Sequence, residues 1–201
     1  MDLFSLKGKV AVITGASRGL GRHMAAGLAD AGAHVVLVAR DEDRLNTLAD
    51  EIRAKGGEAS VQPLDLGDTS AIQPAVERIA GQLGRIDICV NNAGIIDWQP
   101  LDDSSLESFD AILDLNVKST FLMAQACAAV MRRGGAGGRI VNIGSVLSTI
   151  GRAKLHAYCA SKSAIVGLTR SIAAELGRDG ITANVIAPGY FASDINASLT
   201  A

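Results

Sequence analysis

With 201 residues, the chain is long enough for one domain with a sizeable core and too short for two ordinary ones. Its composition, 48% hydrophobic and 20% charged with only 3% aromatic, excludes a disordered chain and points to a core of Val, Ile, Leu and Ala, the make-up of a parallel sheet under close-packed helices. A net charge of −2, with no basic cluster longer than Arg132-Arg133, excludes nucleic acid or an anionic membrane surface as the main partner, because phosphate surfaces need a concentrated basic face.

Along the chain, a short β-branched run is repeatedly followed by a helical pattern. Lys9–Thr14 reads as a buried strand and Arg18–Ala31 as a helix stopped by Gly32. His34–Ala39 is a second strand, and Asp41–Lys55 a charged amphipathic helix ended by Gly56-Gly57. Glu58–Leu64 is a third strand, followed by a helix over Asp68–Leu83 with Asp68 as N-cap. Ile86–Val90 is a fourth strand, Ser104–Arg133 one long helix ended by the glycines up to Gly138, and Arg139–Ile143 a fifth strand. His156–Arg178 is a second long helix and Ile181–Ile186 a sixth strand. Such alternation predicts an α/β fold: a Rossmann-type, doubly wound parallel sheet with helices on both faces and right-handed crossovers. Ligands of such sheets lie beyond the carboxyl ends of the strands.

The cysteines, Cys89, Cys127 and Cys159, are odd in number, far apart, and lack any CxxC or Cys/His metal spacing. They read as reduced, mostly buried thiols of a cytoplasmic protein, with no metal. Met1-Asp2-Leu3-Phe4 lacks the charged start and apolar run of a signal peptide, and no uncharged apolar stretch is long enough for a bilayer.

The motifs fall at the strand ends. After the first strand comes Thr14-Gly15-Ala16-Ser17-Arg18-Gly19-Leu20-Gly21. Glycines there let the backbone turn sharply and approach a pyrophosphate, and the following helix aims its N-terminal N–H groups at the phosphates. A plain tight turn is the bland alternative; the position between first strand and helix counts against it. The spacing TGxxxGxG differs from the common G-x-G-x-x-G, and resembles the short-chain dehydrogenase/reductase family. Asn91-Asn92-Ala93-Gly94 resembles that family's NNAG motif. Ser145, Tyr158 and Lys162 match its S-x12-Y-x3-K spacing, Asn116 sits where it keeps an asparagine, and Pro188-Gly189 follows the sixth strand as it does there. The resemblance runs from about Lys9 to Asn196.

For the cofactor, the place after the second strand where NAD enzymes carry an acid holds Ala39-Arg40. Arg40 suits the 2′-phosphate of NADP, with Arg18 reaching it from the glycine loop; the expectation is NADP(H) over NAD(H), against the alternative of two solvated surface arginines. Asp65-Leu66 resembles the family's adenine-binding pair, or Asp65 is a loop or cap residue. By resemblance, the cofactor also meets Ser17, Leu20, Asn92, Ala93, Gly94, Pro188, Gly189, Phe191 and Ser193. Ser193 replaces a usual threonine and keeps its hydroxyl for the nicotinamide carboxamide.

Tyr158 and Lys162, four apart, lie on one helix face. A neighbouring ammonium is expected to lower the phenol pKa, so that Tyr158 exchanges a proton with the substrate oxygen while Ser145 orients that oxygen. By resemblance, Lys162 also holds the nicotinamide ribose, and Asn116 serves a water-mediated proton relay behind it. The alternative for Tyr158/Lys162, a solvent-facing helix pair, is outweighed by the ordered set. Cys159, pointing elsewhere on the helix, is expected in the core.

Pro188-Gly189-Tyr190-Phe191-Ala192-Ser193 and the opening Leu3-Phe4-Ser5-Leu6 resemble gluconate 5-dehydrogenase-like members, which implies a keto-sugar acid as substrate. Gly144-Ser145-Val146 also resembles the 3-oxoacyl-(acyl-carrier-protein) reductase branch, and a dinucleotide-binding protein without turnover is the rival from another class. Tyr190 and Phe191 either shape the substrate choice or merely pack their loop. The family continues with substrate-covering helices, another helix and a seventh strand. The expectation is therefore a single dinucleotide-binding domain, residues 1–201, incomplete at its C-terminus. The alanine-rich long helices imply a homo-oligomer, a dimer or tetramer, formed through them.

Overall fold

The computed structural model describes residues 3–191. Its elements, in chain order, are β1 (Val10–Thr14), α1 (Gly19–Asp30), β2 (His34–Ala39), α2 (Glu42–Ala54), β3 (Glu58–Pro63), α3 (Thr69–Leu83), β4 (Ile88–Asn91), α4 (Leu106–Leu113), α5 (Ser119–Gly134), β5 (Gly138–Ile143), α6 (His156–Leu176) and β6 (Ile181–Ile186). The strands form one parallel sheet in the order β3-β2-β1-β4-β5-β6. The order reverses between β1 and β4, which opens a crevice at their carboxyl ends.

The strands read as continuous apolar runs because both faces are covered, yet alternate residues feed different cores. Val10 and Val12 of β1, with Val36 and Val38 of β2, pack against Ile72, Val76 and Ile79 of α3 and Met123, Cys127 and Met131 of α5. Ala11, Ile13, Val35 and Leu37 face the other way, onto Ala25 and Ala29 of α1 and Leu45, Leu48 and Ile52 of α2. The doubly wound parallel sheet expected from the alternation is the architecture found. Asp68 caps α3 as expected, its carboxylate accepting from Ser70 N–H. No helix among the described residues is long and apolar enough to cross a membrane.

Two expectations change. Strand β4 begins at Ile88, not Ile86, because Asp87 is used as a clip: its carboxylate accepts from Val10 N–H at 2.9 Å and from the Arg85 guanidinium. Burial pushes the Asp87 carboxyl up, but the Arg85 bond and Val10 N–H bring it net below the usual range. The single long helix over 104–133 is instead α4 and α5 separated by a five-residue π-helical turn, Asp114–Lys118. Single π turns inside α-helices occur where one side chain needs a displaced position. Here that side chain is Asn116, which is buried.

Candidate active site

The loop from β1 to α1 is built on close backbone approach. Gly15 has φ +66°, and a Cβ on it would lie 2.8 Å from Asn92 Nδ2. A Cβ on Gly21 would lie 2.2 Å from the Gly15 carbonyl oxygen, so the first turn of α1 closes on the loop only because both residues lack side chains. The loop after β4 braces this arrangement. Asn92 N–H and Ala93 N–H donate to Thr14 Oγ1 at 2.9 and 3.1 Å, and Asn92 Nδ2 donates to the Thr14 carbonyl at 3.0 Å. Asn92, expected to bind cofactor, therefore gives its side chain to holding the glycine loop, although it also lines the cleft.

An open cleft of about 350 Å³ runs past these strand ends. Gly15, Ser17, Arg18, Gly19 and Leu20 line it, as do Arg40, Asp65, Leu66, Ala93 and Gly94; Gly21 lies behind the loop, against Gly15. Gly144, Ser145, Tyr158, Lys162, Pro188, Gly189 and Phe191 line it as well. Asp65 gives its carboxylate to Gly67 N–H at 2.9 Å while keeping its place on the wall. Ser193 lies outside the described residues.

The backbone suits a dinucleotide. No side chain caps the N-terminus of α1 and its first turn carries no acid, so its N–H groups and positive dipole end are left for an anion. Arg18 and Arg40 are exposed at the cleft. Neither guanidinium makes an ion pair among the described residues, which leaves both for phosphate oxygens. Sequence reasoning did not single out Arg44, which also lines this part and pairs with Asp41 at 3.2 Å.

The hydroxyl groups come from two elements. Ser145 follows β5 and caps a short 3-10 turn, Val146–Ser148; its Oγ accepts from Leu147 N–H at 3.1 Å, which leaves its own proton free to donate. Val146 N–H donates to the Pro188 carbonyl at 2.9 Å, which fastens the loop after β6 beside it. Tyr158 and Lys162 lie in the first two turns of α6, with Lys162 Nζ 5.6 Å from the Tyr158 ring centroid. Nζ donates to the Ile143 carbonyl at 2.7 Å.

One electrostatic expectation is corrected. The Tyr158 phenol is not lowered by its ammonium neighbour: burial pushes it above the ordinary value of 10, and the Ser145 hydroxyl only partly draws it back. Lys162 is itself held down to about 8 by burial. Both groups lose water in the same cleft, and burial is the largest cause of the shift in each.

Asn116 Oδ1 accepts from Ile95 N–H at 2.8 Å. Its Nδ2 donates to the Ile95 carbonyl and to Ser161 Oγ, both at 3.0 Å. Ser161 Oγ in turn donates to the Tyr158 carbonyl at 2.8 Å. Asn116 thus ties the loop after β4 to the turn of α6 that carries Tyr158, which is what the π turn provides for. Cys159, expected in the core, is only half-buried, while Cys89 and Cys127 are buried.

A family model described as short chain dehydrogenase matches residues 9–201. The gluconate 5-dehydrogenase of Gluconobacter oxydans (strain 621H) is 42% identical over 200 residues, covering 100% of this chain and 78% of that protein. The 3-oxoacyl-(acyl-carrier-protein) reductase of Escherichia coli (strain K12) is 36% identical over 196 residues, covering 98% of this chain and 79% of that protein. Among solved structures, a gluconate 5-dehydrogenase from Burkholderia cenocepacia J2315 in complex with NADP and tartrate matches with a TM-score of 0.94 at 39% identity, over 98% of this chain and 77% of that one.

Proposed function

The chain belongs to the short chain dehydrogenase family of NAD(P)-dependent oxidoreductases acting on CH–OH groups, and we propose that it uses NADP(H) to interconvert a keto-sugar acid and its gluconate-type alcohol. The observation that carries this reading is one cleft lined both by Ser145, Tyr158 and Lys162 and by two arginines, Arg18 and Arg40, that have no ion-pair partner among the described residues. The sugar-acid part is supported by the likeness to the two gluconate 5-dehydrogenases, one of them solved with NADP and a hydroxy dicarboxylate.

The nicotinamide supplies or accepts the hydride when it is bound. The chain's own residues govern the oxygen. Ser145 Oγ, oriented by Leu147 N–H, donates to the substrate oxygen. In reduction, Tyr158 gives its phenolic proton to the oxygen as negative charge develops there; in oxidation, the phenolate takes the proton back. Lys162 keeps a positive charge beside the phenol and offers further donors to a ribose. Both amide protons of Asn116 are engaged with Ile95 and Ser161, so its part is to position Tyr158. Exposed Phe121 on α5 supports pairing of copies through the long helices.

The test is NADPH oxidation, followed by near-ultraviolet absorbance, with 5-ketogluconate. Parallel reactions hold NADH or an acetoacetyl thioester. Oxidation with the keto acid, faster with NADPH, is the expected result. Turnover of the thioester alone would move the protein to the acyl reductase branch, a reading favoured by the Escherichia coli relative. For the cofactor, Arg40→Asp is expected to shift the NADPH/NADH ratio of kcat/KM toward NADH by about 100-fold, because a charge-assisted bond is lost and a carboxylate faces the 2′-phosphate. An unaltered ratio would remove Arg40 from cofactor selection.

A further inference from the structure

Two loops that the reacting groups do not use meet beside the cleft. Gln99 N–H donates to the Lys154 carbonyl at 3.1 Å, joining the loop after β4 to the loop before α6. Lys154 has φ 67° and is the non-glycine residue with positive φ among the described residues. Such a backbone state costs about 1 kcal/mol and persists where its surroundings enforce it, most often near functional sites.

This loop presents Arg152. Its guanidinium lies 5.0 Å from the Trp98 ring centroid and 5.2 Å from that of Tyr190, and it donates to the Tyr190 hydroxyl. Both rings line the cleft that holds Ser145 and Tyr158. Among the described residues no carboxylate pairs with Arg152; Asp97, beside Trp98 in the chain, accepts from the Ser108 hydroxyl instead. Trp98 Nε1 is buried without an acceptor.

A guanidinium has five donors, and the bond to the Tyr190 hydroxyl leaves others for a ligand. Contact with two rings and the bond to one of their hydroxyls also fix the side chain before any ligand arrives, which lowers the ordering cost of binding. A fixed cation with open donors, beside the cleft walls formed by Trp98 and Tyr190, suits an oxyanion able to take two parallel bonds. From this geometry we infer that Arg152, held between Trp98 and Tyr190, receives the carboxylate of the substrate, away from the carbonyl that Ser145 and Tyr158 address. This rests on the sugar-acid reading above and makes Arg152 the residue that separates a keto acid from an uncharged ketose.

L-Sorbose tests it, because it carries a hydroxymethyl group where 5-ketogluconate carries its carboxylate. Steady-state kinetics with saturating NADPH would compare the wild type with Arg152→Met and Arg152→Lys. In the Met variant, selectivity for 5-ketogluconate over L-sorbose is expected to fall roughly 30-fold, mainly through KM for the acid, with partial recovery in the Lys variant. Calorimetric titration of tartrate into the NADPH complex gives a readout without turnover: binding by the wild type and its loss in Arg152→Met supports the assignment. Equal losses on acid and ketose, no loss on either, or undiminished tartrate binding would overturn it. A wild type that reduces L-sorbose or the thioester but not 5-ketogluconate overturns the sugar-acid reading itself; a wild type active on the keto acid with an unselective Arg152→Met overturns only the role of Arg152.

Discussion

Tyr158→Phe is expected to lower kcat for ketone reduction by about 10³-fold, the range of a positioned general acid, while NADPH affinity changes by no more than about tenfold, since only one donor is lost. The phenol lines the cleft together with Ser145, and Phe keeps the ring that packs against Lys162. Turnover is read from NADPH absorbance and affinity from titration of NADPH fluorescence. An unchanged kcat would end the proposed role. The raised phenol pKa adds a direction with pH. At neutral pH the group is protonated, so reduction finds its proton donor in place. Alcohol oxidation needs the phenolate, so its rate should climb as pH rises toward and past 10, and the Phe variant should lose that climb.

Lys162→Met is expected to remove most activity and yet stabilise the protein at pH 7. Burial holds this ammonium at about 8 against an ordinary 10.5, so the unfolded chain binds the proton more tightly than the folded one. The sign follows: below about 8 the whole cost of burying the charge is present, and stability rises with pH between about 8 and 10.5 as the folded group gives up its proton first. At roughly 1.4 kcal/mol per pH unit that cost is about 3 kcal/mol. Met also leaves the Ile143 carbonyl without its donor, which costs about 1–2 kcal/mol. The net gain is about 1–2 kcal/mol, or a rise in Tm of about 3–6 °C for a chain of this size. Thermal unfolding at pH 7 and at pH 10 checks it: the advantage should shrink at the higher pH. A fall in Tm at pH 7 would mean that the Ile143 bond outweighs the desolvation of the charge. Activity should drop by about 10²-fold or more, because the donors that Lys162 is proposed to offer the cofactor ribose are lost and the cofactor is no longer held in register. Gain in stability with loss of turnover is the pattern of a group kept for function rather than for the fold.

The amino-acid sequence by itself determined the parallel α/β architecture, because strand and helix signals are local: β-branched runs such as His34–Ala39 and Ile181–Ile186 coincide with β2 and β6, and Asp68 marks the start of α3. It also placed the glycine loop, Ser145, Tyr158 and Lys162 at strand ends or beside them, because a βα order carries its own geometry and the cleft follows from where the sheet order reverses. Tertiary structure alone decided the rest. The π turn at Asn116 depends on Ile95 and Ser161, which are remote in the chain, so no periodicity in 104–133 announces it. The pairing of Asn92 with Thr14, the clip at Asp87 and the contacts of Arg152 with Trp98 and Tyr190 likewise join distant segments. The sign of the Tyr158 shift was out of reach for the same reason. A spacing of four shows that an ammonium stands near a phenol, but only the folded cleft sets how much water each has lost, and here that loss is the largest cause of both shifts.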